Sequence, residues 1–155
     1  MRSHIPILSC ALLLLLAQCE RNDQPLTDAT GVFEKAVSYF EDRSYLQAES
    51  LFVRSLPVFE RSGQTYTVVE ANSYLGQIYL AEGRYYTALG KFESALELTE
   101  SLKDFRAEIK LRELIGDSYT SLDAYQAALL SYREAHRLSS AFNDLDAKAS
   151  LEMHM

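Results

Sequence analysis

Two kinds of hydrophobic pattern divide the chain. Residues 5 to 17, IPILSCALLLLLA, form an apolar run interrupted only by Ser9. After a polar stretch, ERNDQPLTDA at 20 to 29, small and apolar positions return one at a time, in steps of three and four that share one helical face. They also return every 40 residues. Ala48, Ala88 and Ala128 keep that spacing, as do Tyr39, Tyr79 and Tyr119; Phe52, Phe92 and Tyr132; Tyr45, Tyr85 and Tyr125; Ala36, Gly76 and Gly116; and Ser55, Ala95 and Ala135. Six positions that hold their chemical type through three ungapped copies define a repeat protein.

Breaks between the periodic segments predict helices near 29–42, 45–61, 65–81, 85–101, 105–121, 125–141 and 144–153. Gly83 and, as a substitute, Asp123 stand where a left-handed residue ends a first helix; Gly63 and Asn143 stand at the breaks between copies. Ser44, Asp104 and Asp144 are placed to cap the helices that follow. Pro57 falls inside the second helix, where its missing N–H predicts a kink or an end. Phe105, Ala107 and Leu111 are matched by Leu145, Ala147 and Leu151, so the register enters a fourth copy. That last helix reads either as a cap or as the front of a longer array.

Each copy is then two antiparallel helices. The small residue of the first (Ala36, Gly76, Gly116) is expected to face the Ala of the second (Ala48, Ala88, Ala128) and so let the backbones approach. Glycine inside a helix costs about 1 kcal/mol relative to Ala, so Gly76 and Gly116 need a packing reason. The aromatic positions fill the space between neighbouring pairs.

The stretch LGQIYLAEGRYYTALGKFESALEL, residues 75 to 98, carries Leu75, Gly76, Tyr79, Gly83, Ala88, Phe92 and Ala95. This signature resembles the tetratricopeptide repeat, and the 40-residue period resembles its long-form, Pins-type subclass. The resemblance covers residues 29 to 151. It implies an all-α, right-handed superhelical solenoid of antiparallel helix pairs, with repeats at about 29–63, 64–103 and 104–143 and a partial repeat or cap at 144–155.

The start of the chain reads as targeting rather than fold. As a helix, the 13-residue apolar run spans only about 20 Å, short of the roughly 30 Å of a bilayer core, so residues 1–18 are read as a signal peptide. Leu16-Ala17-Gln18-Cys19 resembles a bacterial lipobox, with Gln18 in place of the usual small residue. That resemblance implies a diacylglycerol on Cys19, residues 19–28 as the lipidated Cys and tether, and a chain anchored to a membrane and facing the periplasm or the exterior. A secreted soluble protein is the other reading. Cys10 would leave with the signal, so the mature chain has no partner for an intramolecular disulfide.

Composition narrows the chemistry. The net charge is −7, and removal of residues 1–18 takes away Arg2 and no acid, giving −8. Nucleic acid and anionic headgroups are poor partners for such a surface. His4, His136 and His154 share no metal-ligand spacing. Glu113 and Asp117 lie one helical turn apart, but a solvated face balanced by Lys110 accounts for them. Asn143-Asp144-Leu145-Asp146 lacks the glycine and distal Glu of a calcium loop. The chain is therefore read as non-catalytic, without metal or cofactor. Most of the ten tyrosines fall on repeat positions; Tyr66, Tyr86 and Phe33 do not, which makes them contact candidates.

In the tetratricopeptide family the first helices line a concave groove. Carried over by position, its ligand-contacting residues are Phe33, Val37 and Phe40 in copy one, Ser73, Gln77 and Leu80 in copy two, and Glu113, Asp117 and Thr120 in copy three. The groove is expected to be apolar at one end and acidic at the other, suiting a peptide with apolar anchors and a Lys or Arg. The Lys and Asn clamp of some family members is absent. The implied function is an interaction scaffold or adaptor at the cell envelope. The alternative is the sensing portion of an envelope signalling protein.

Overall fold

The computed structural model of the chain describes residues 28–153, and side chains from 28 to 142. The expected signal peptide, Cys19 and all of the expected tether except Asp28, which opens α1, lie outside the described residues. Within them every element is an α-helix: α1 (28–41), α2 (Tyr45–Ser62), α3 (Thr65–Ala81), α4 (Tyr85–Leu102), α5 (Phe105–Ser121) and α6 (Tyr125–Met153). Consecutive helices from α2 onward pack on one another. First helices also touch one another: α3 meets α5, and Phe40 of α1 meets Tyr74 of α3. First helices thus line the inner side of the stack, and second helices the outer.

The turns explain the even spacing. Arg43, Gly63, Gly83, Lys103 and Asp123 all have positive φ, between 54° and 76°, and they stand 20 residues apart. At each one the next backbone N–H reaches back to a carbonyl five residues earlier: Ser44 to Tyr39 (2.8 Å), Gln64 to Phe59 (3.0 Å), Arg84 to Tyr79 (2.8 Å), Asp104 to Thr99 (3.4 Å) and Ala124 to Tyr119 (2.9 Å). This closure satisfies carbonyls that the helix end leaves orphaned. Connections within a copy and between copies therefore share one geometry. Lys103 was not anticipated, because a lysine in the left-handed region carries no sequence flag.

The expected sixth break does not occur. Asn143 and Asp144 lie inside α6, which runs unbroken for 29 residues. Asn lacks the freedom of glycine, and the following LDAKASLEM is rich in helix formers, so the helix continues instead of turning. Asp144 is accordingly not a cap, and 144–153 prolongs α6 rather than forming a separate helix. Ser44 occupies the N-cap of α2 without a side-chain cap bond, whereas Asp104 does cap α5, its carboxylate accepting from Ala107 N at 3.0 Å. Helix α2 also passes through Pro57 without ending.

At the core, Ala36, Ala48 and Ala88 are fully buried, with Ala128 nearly so. The glycines have a further reason beside the expected facing of small residue on Ala. A Cβ on Gly76 would stand 2.6 Å from Phe92 Cδ1 and closer still to Cε1; on Gly116 it would meet Tyr132 Cε1 at 2.5 Å. The atoms nearest each would-be Cβ are those of the aromatic ring one turn beyond the Ala, so the ring is what each glycine accommodates most closely. A flat ring against bare backbone leaves no space for even one methyl group.

Candidate interaction surface

The inner end of the first two copies is built around aromatic rings. Tyr74 of α3 stacks on Phe52 of α2, with centroids 5.1 Å apart and planes at 7°. Phe40 meets Tyr74 edge-on at 4.9 Å, and Phe33 meets Phe52, Phe59 and Tyr74 edge-on at 5.4, 5.8 and 6.3 Å. Phe33, Val37, Phe40 and Leu80 are half-buried and packed against the core. These predicted groove residues thus hold the copies together and offer only part of their surface outward.

Tyr74 was missed because its counterparts forty residues away are Glu34 and Leu114, so no recurrence marks it. Burial, then the nearby Glu70 and Glu41 carboxylates, push its phenol above the usual tyrosine value. Those acids show that the apolar end has a negative rim. Beside it a cleft of about 380 Å³ is lined by Phe33 and Phe59 together with Glu34 and Glu70.

The middle and far parts of the predicted groove are more self-contained. Gln77 Nε2 donates to the Ser73 carbonyl at 3.3 Å, so these two residues are paired along α3. Glu113 is exposed and 3.8 Å from Lys110, the partner expected for it. Asp117 accepts from the Tyr132 hydroxyl at 2.7 Å, and Thr120 donates to the Gly116 carbonyl at 2.9 Å. Asp117 is therefore tied to α6, not open on all sides.

Of the three other contact candidates, Tyr66 and Tyr86 are exposed at 59% and 79%, whereas Phe33 belongs to the aromatic cluster. The joint between copies one and two is clasped by Arg84, whose guanidinium lies 4.0 Å over the Tyr79 ring and 3.2 Å from both Glu49 and Glu82. A larger opening, about 600 Å³, involves the outer helices and is lined by Phe59, Val68 and Leu98, with Asn72 accepting from Lys91 Nζ at 3.3 Å. Among the described residues no three His, Cys, Asp or Glu side chains are grouped as metal ligands, and no helix is long and apolar enough to cross a membrane.

The chain matches no protein-family model and no curated protein. Its fold is similar to the TPR domain of Arabidopsis FLU, with a TM-score of 0.69 and 16% identity over 75% of this chain and 98% of that one. The chain thus has a TPR-like helical-repeat fold.

Proposed function

We propose that this protein is a non-catalytic interaction scaffold, tethered at the bacterial cell envelope through a lipid on Cys19, that binds a basic peptide with apolar anchors along its inner face. The observation that carries the reading is the pairing of half-buried Phe33, Phe40 and Tyr74 with a carboxylate rim. Glu34, Glu41, Glu70, Glu113 and Asp117 all lie exposed on the first helices. An apolar side chain inserted between the rings gains burial, and a Lys or Arg beside it meets acids that are already in place. TPR-like folds present first helices for such contacts, which supports the choice of surface.

The test uses the full chain in detergent and a fluorescent peptide that alternates Leu or Phe with Lys. Binding is expected to weaken steeply with salt, because rim charges are screened over about 10 Å at 0.1 M. Glu41→Lys, Glu70→Lys and Glu113→Lys together should weaken it at least tenfold without loss of helicity. Equal affinity for a peptide of the same apolar content with Glu in place of Lys would refute the electrostatic part. Mass measurement of the mature N-terminus tests the anchor: the tether is sunk by an unmodified Cys19.

A further inference from the structure

The two ends of the solenoid are finished differently. The core positions Ala71, Leu75 and Ile78 of α3 and Leu111, Ile115 and Ser118 of α5 are buried; their counterparts in α1, Gly31, Lys35 and Ser38, are polar or bare and exposed. The first end is therefore made to face water. At the other end, Leu89 and Phe92 of α4 are 6% and 0% exposed, while the equivalent Leu129 and Tyr132 of α6 are 57% and 36% exposed. His136, in the place of buried Leu56 and half-buried Leu96, is exposed as well. Tyr132, Arg133, His136, Arg137 and Ser140 line an open cleft of about 490 Å³ there. Among the described residues no helix covers this end as each earlier copy is covered.

The chain itself encodes the start of such a helix. Leu145, Ala147 and Leu151 repeat Phe105, Ala107 and Leu111 at the 40-residue interval. Yet α6 runs through residue 143 as one helix, so this segment extends along the axis and cannot return to its own outer face. A second copy can supply it. The charges lean the same way: the outer face carries Arg133, His136 and Arg137, with Glu134 paired to Arg137 at 2.6 Å, and the segment carries Asp144, Asp146 and Glu152 against one Lys148. Helix α1 of another copy is unsuited, since its matching positions are Gly31, Lys35 and Ser38. Counting outward from the turn at Lys103 and Asp104, Leu96 and Leu111 are equidistant. The same count about residues 143 and 144 pairs His136 with Leu151.

We propose that two copies pair antiparallel through α6, residues 144–153 of each lying across residues 134–143 of the other, so that each copy covers the open outer face of its partner. The interface is isologous and closes as a two-fold dimer. It involves α6 alone and is independent of what the inner face binds.

The test is a disulfide trap in the full chain, purified in detergent with Cys10 and Cys19 replaced by Ser, carrying His136→Cys and Leu151→Cys together. Mild oxidation should convert most of the chain to a covalent dimer, since a disulfide forms only where Cα atoms approach within about 7 Å. Two differently tagged chains, one with His136→Cys and one with Leu151→Cys, should give the mixed dimer. A monomer with both thiols consumed would mean that the segment folds back on its own copy, and persistent free thiols would mean that it lies elsewhere. Either result overturns the proposal.

Discussion

Substituting Gly76 with Ala sets two effects of known sign against each other. In an exposed helix interior Gly→Ala stabilises by about 1 kcal/mol, because glycine loses the most backbone freedom on folding. At Gly76 the added Cβ would sit 2.6 Å from Phe92 Cδ1, against an ordinary carbon contact of about 3.5 to 4.0 Å. The ring must retreat by about 1 Å, and Phe92, fully buried, has no solvent to retreat into. Overpacking of this kind costs about 1 to 3 kcal/mol, so the net effect is a loss of up to about 2 kcal/mol. Gly90 is the internal control: nothing lies within 4 Å of its would-be Cβ, and Gly90→Ala should show the full gain of about 1 kcal/mol. Gly116→Ala should fall between them, because Tyr132 is 36% exposed and can swing outward. Urea unfolding followed by circular dichroism orders the three, and Phe92→Leu should relieve Gly76→Ala in a double-mutant cycle. If Gly76→Ala stabilises as much as Gly90→Ala, the ring-on-glycine account of the repeat signature is wrong.

Two further outcomes follow from single contacts. Asp104→Ala should destabilise by about 1 kcal/mol through loss of its bond to Ala107 N, while Ser44→Ala, at a cap position without such a bond, should change stability by less than about 0.5 kcal/mol in the same unfolding assay. Tyr74 has a folded pKa above the unfolded value of about 10, so the folded state holds its proton more tightly; the associated stability is present below pH 10 and lost as pH climbs through the folded value. Tyr74→Phe should therefore flatten the decline in stability between pH 9 and 11, and an unchanged slope would contradict the assignment.

The helices and their pairing were legible because recurrence filters packing from chance: a residue type that returns at 40-residue intervals is there for the shared geometry. What does not recur was lost. Tyr74 joins the first two copies yet has Glu34 and Leu114 as its counterparts, so the filter discards it. The close approach of Phe92 to Gly76 and of Tyr132 to Gly116 is not legible for a different reason, since sequence spacing gives the helical face but not which turn of the opposite helix meets it. Turns are legible where glycine marks them, at Gly63 and Gly83, and where Asp123 substitutes for it. Lys103 passes unread, and Asn143 was over-read: the left-handed cost is small enough for packing to impose it on lysine and for helix propensity to decline it at asparagine. Among the surface residues the acidic rim was half visible, Glu113 and Asp117 by position; Glu41 and Glu70 required knowledge of where Tyr74 sits.

The five turns bear on what the inner face can hold. Each closes on a residue in the left-handed region and on the same backward hydrogen bond, so the chain leaves every helix by one main-chain route. That route is in place before any ligand arrives. On the proposed reading, a peptide that reaches from Phe33 to Asp117 follows the course these turns give the first helices, so its fit depends on shape as well as charge.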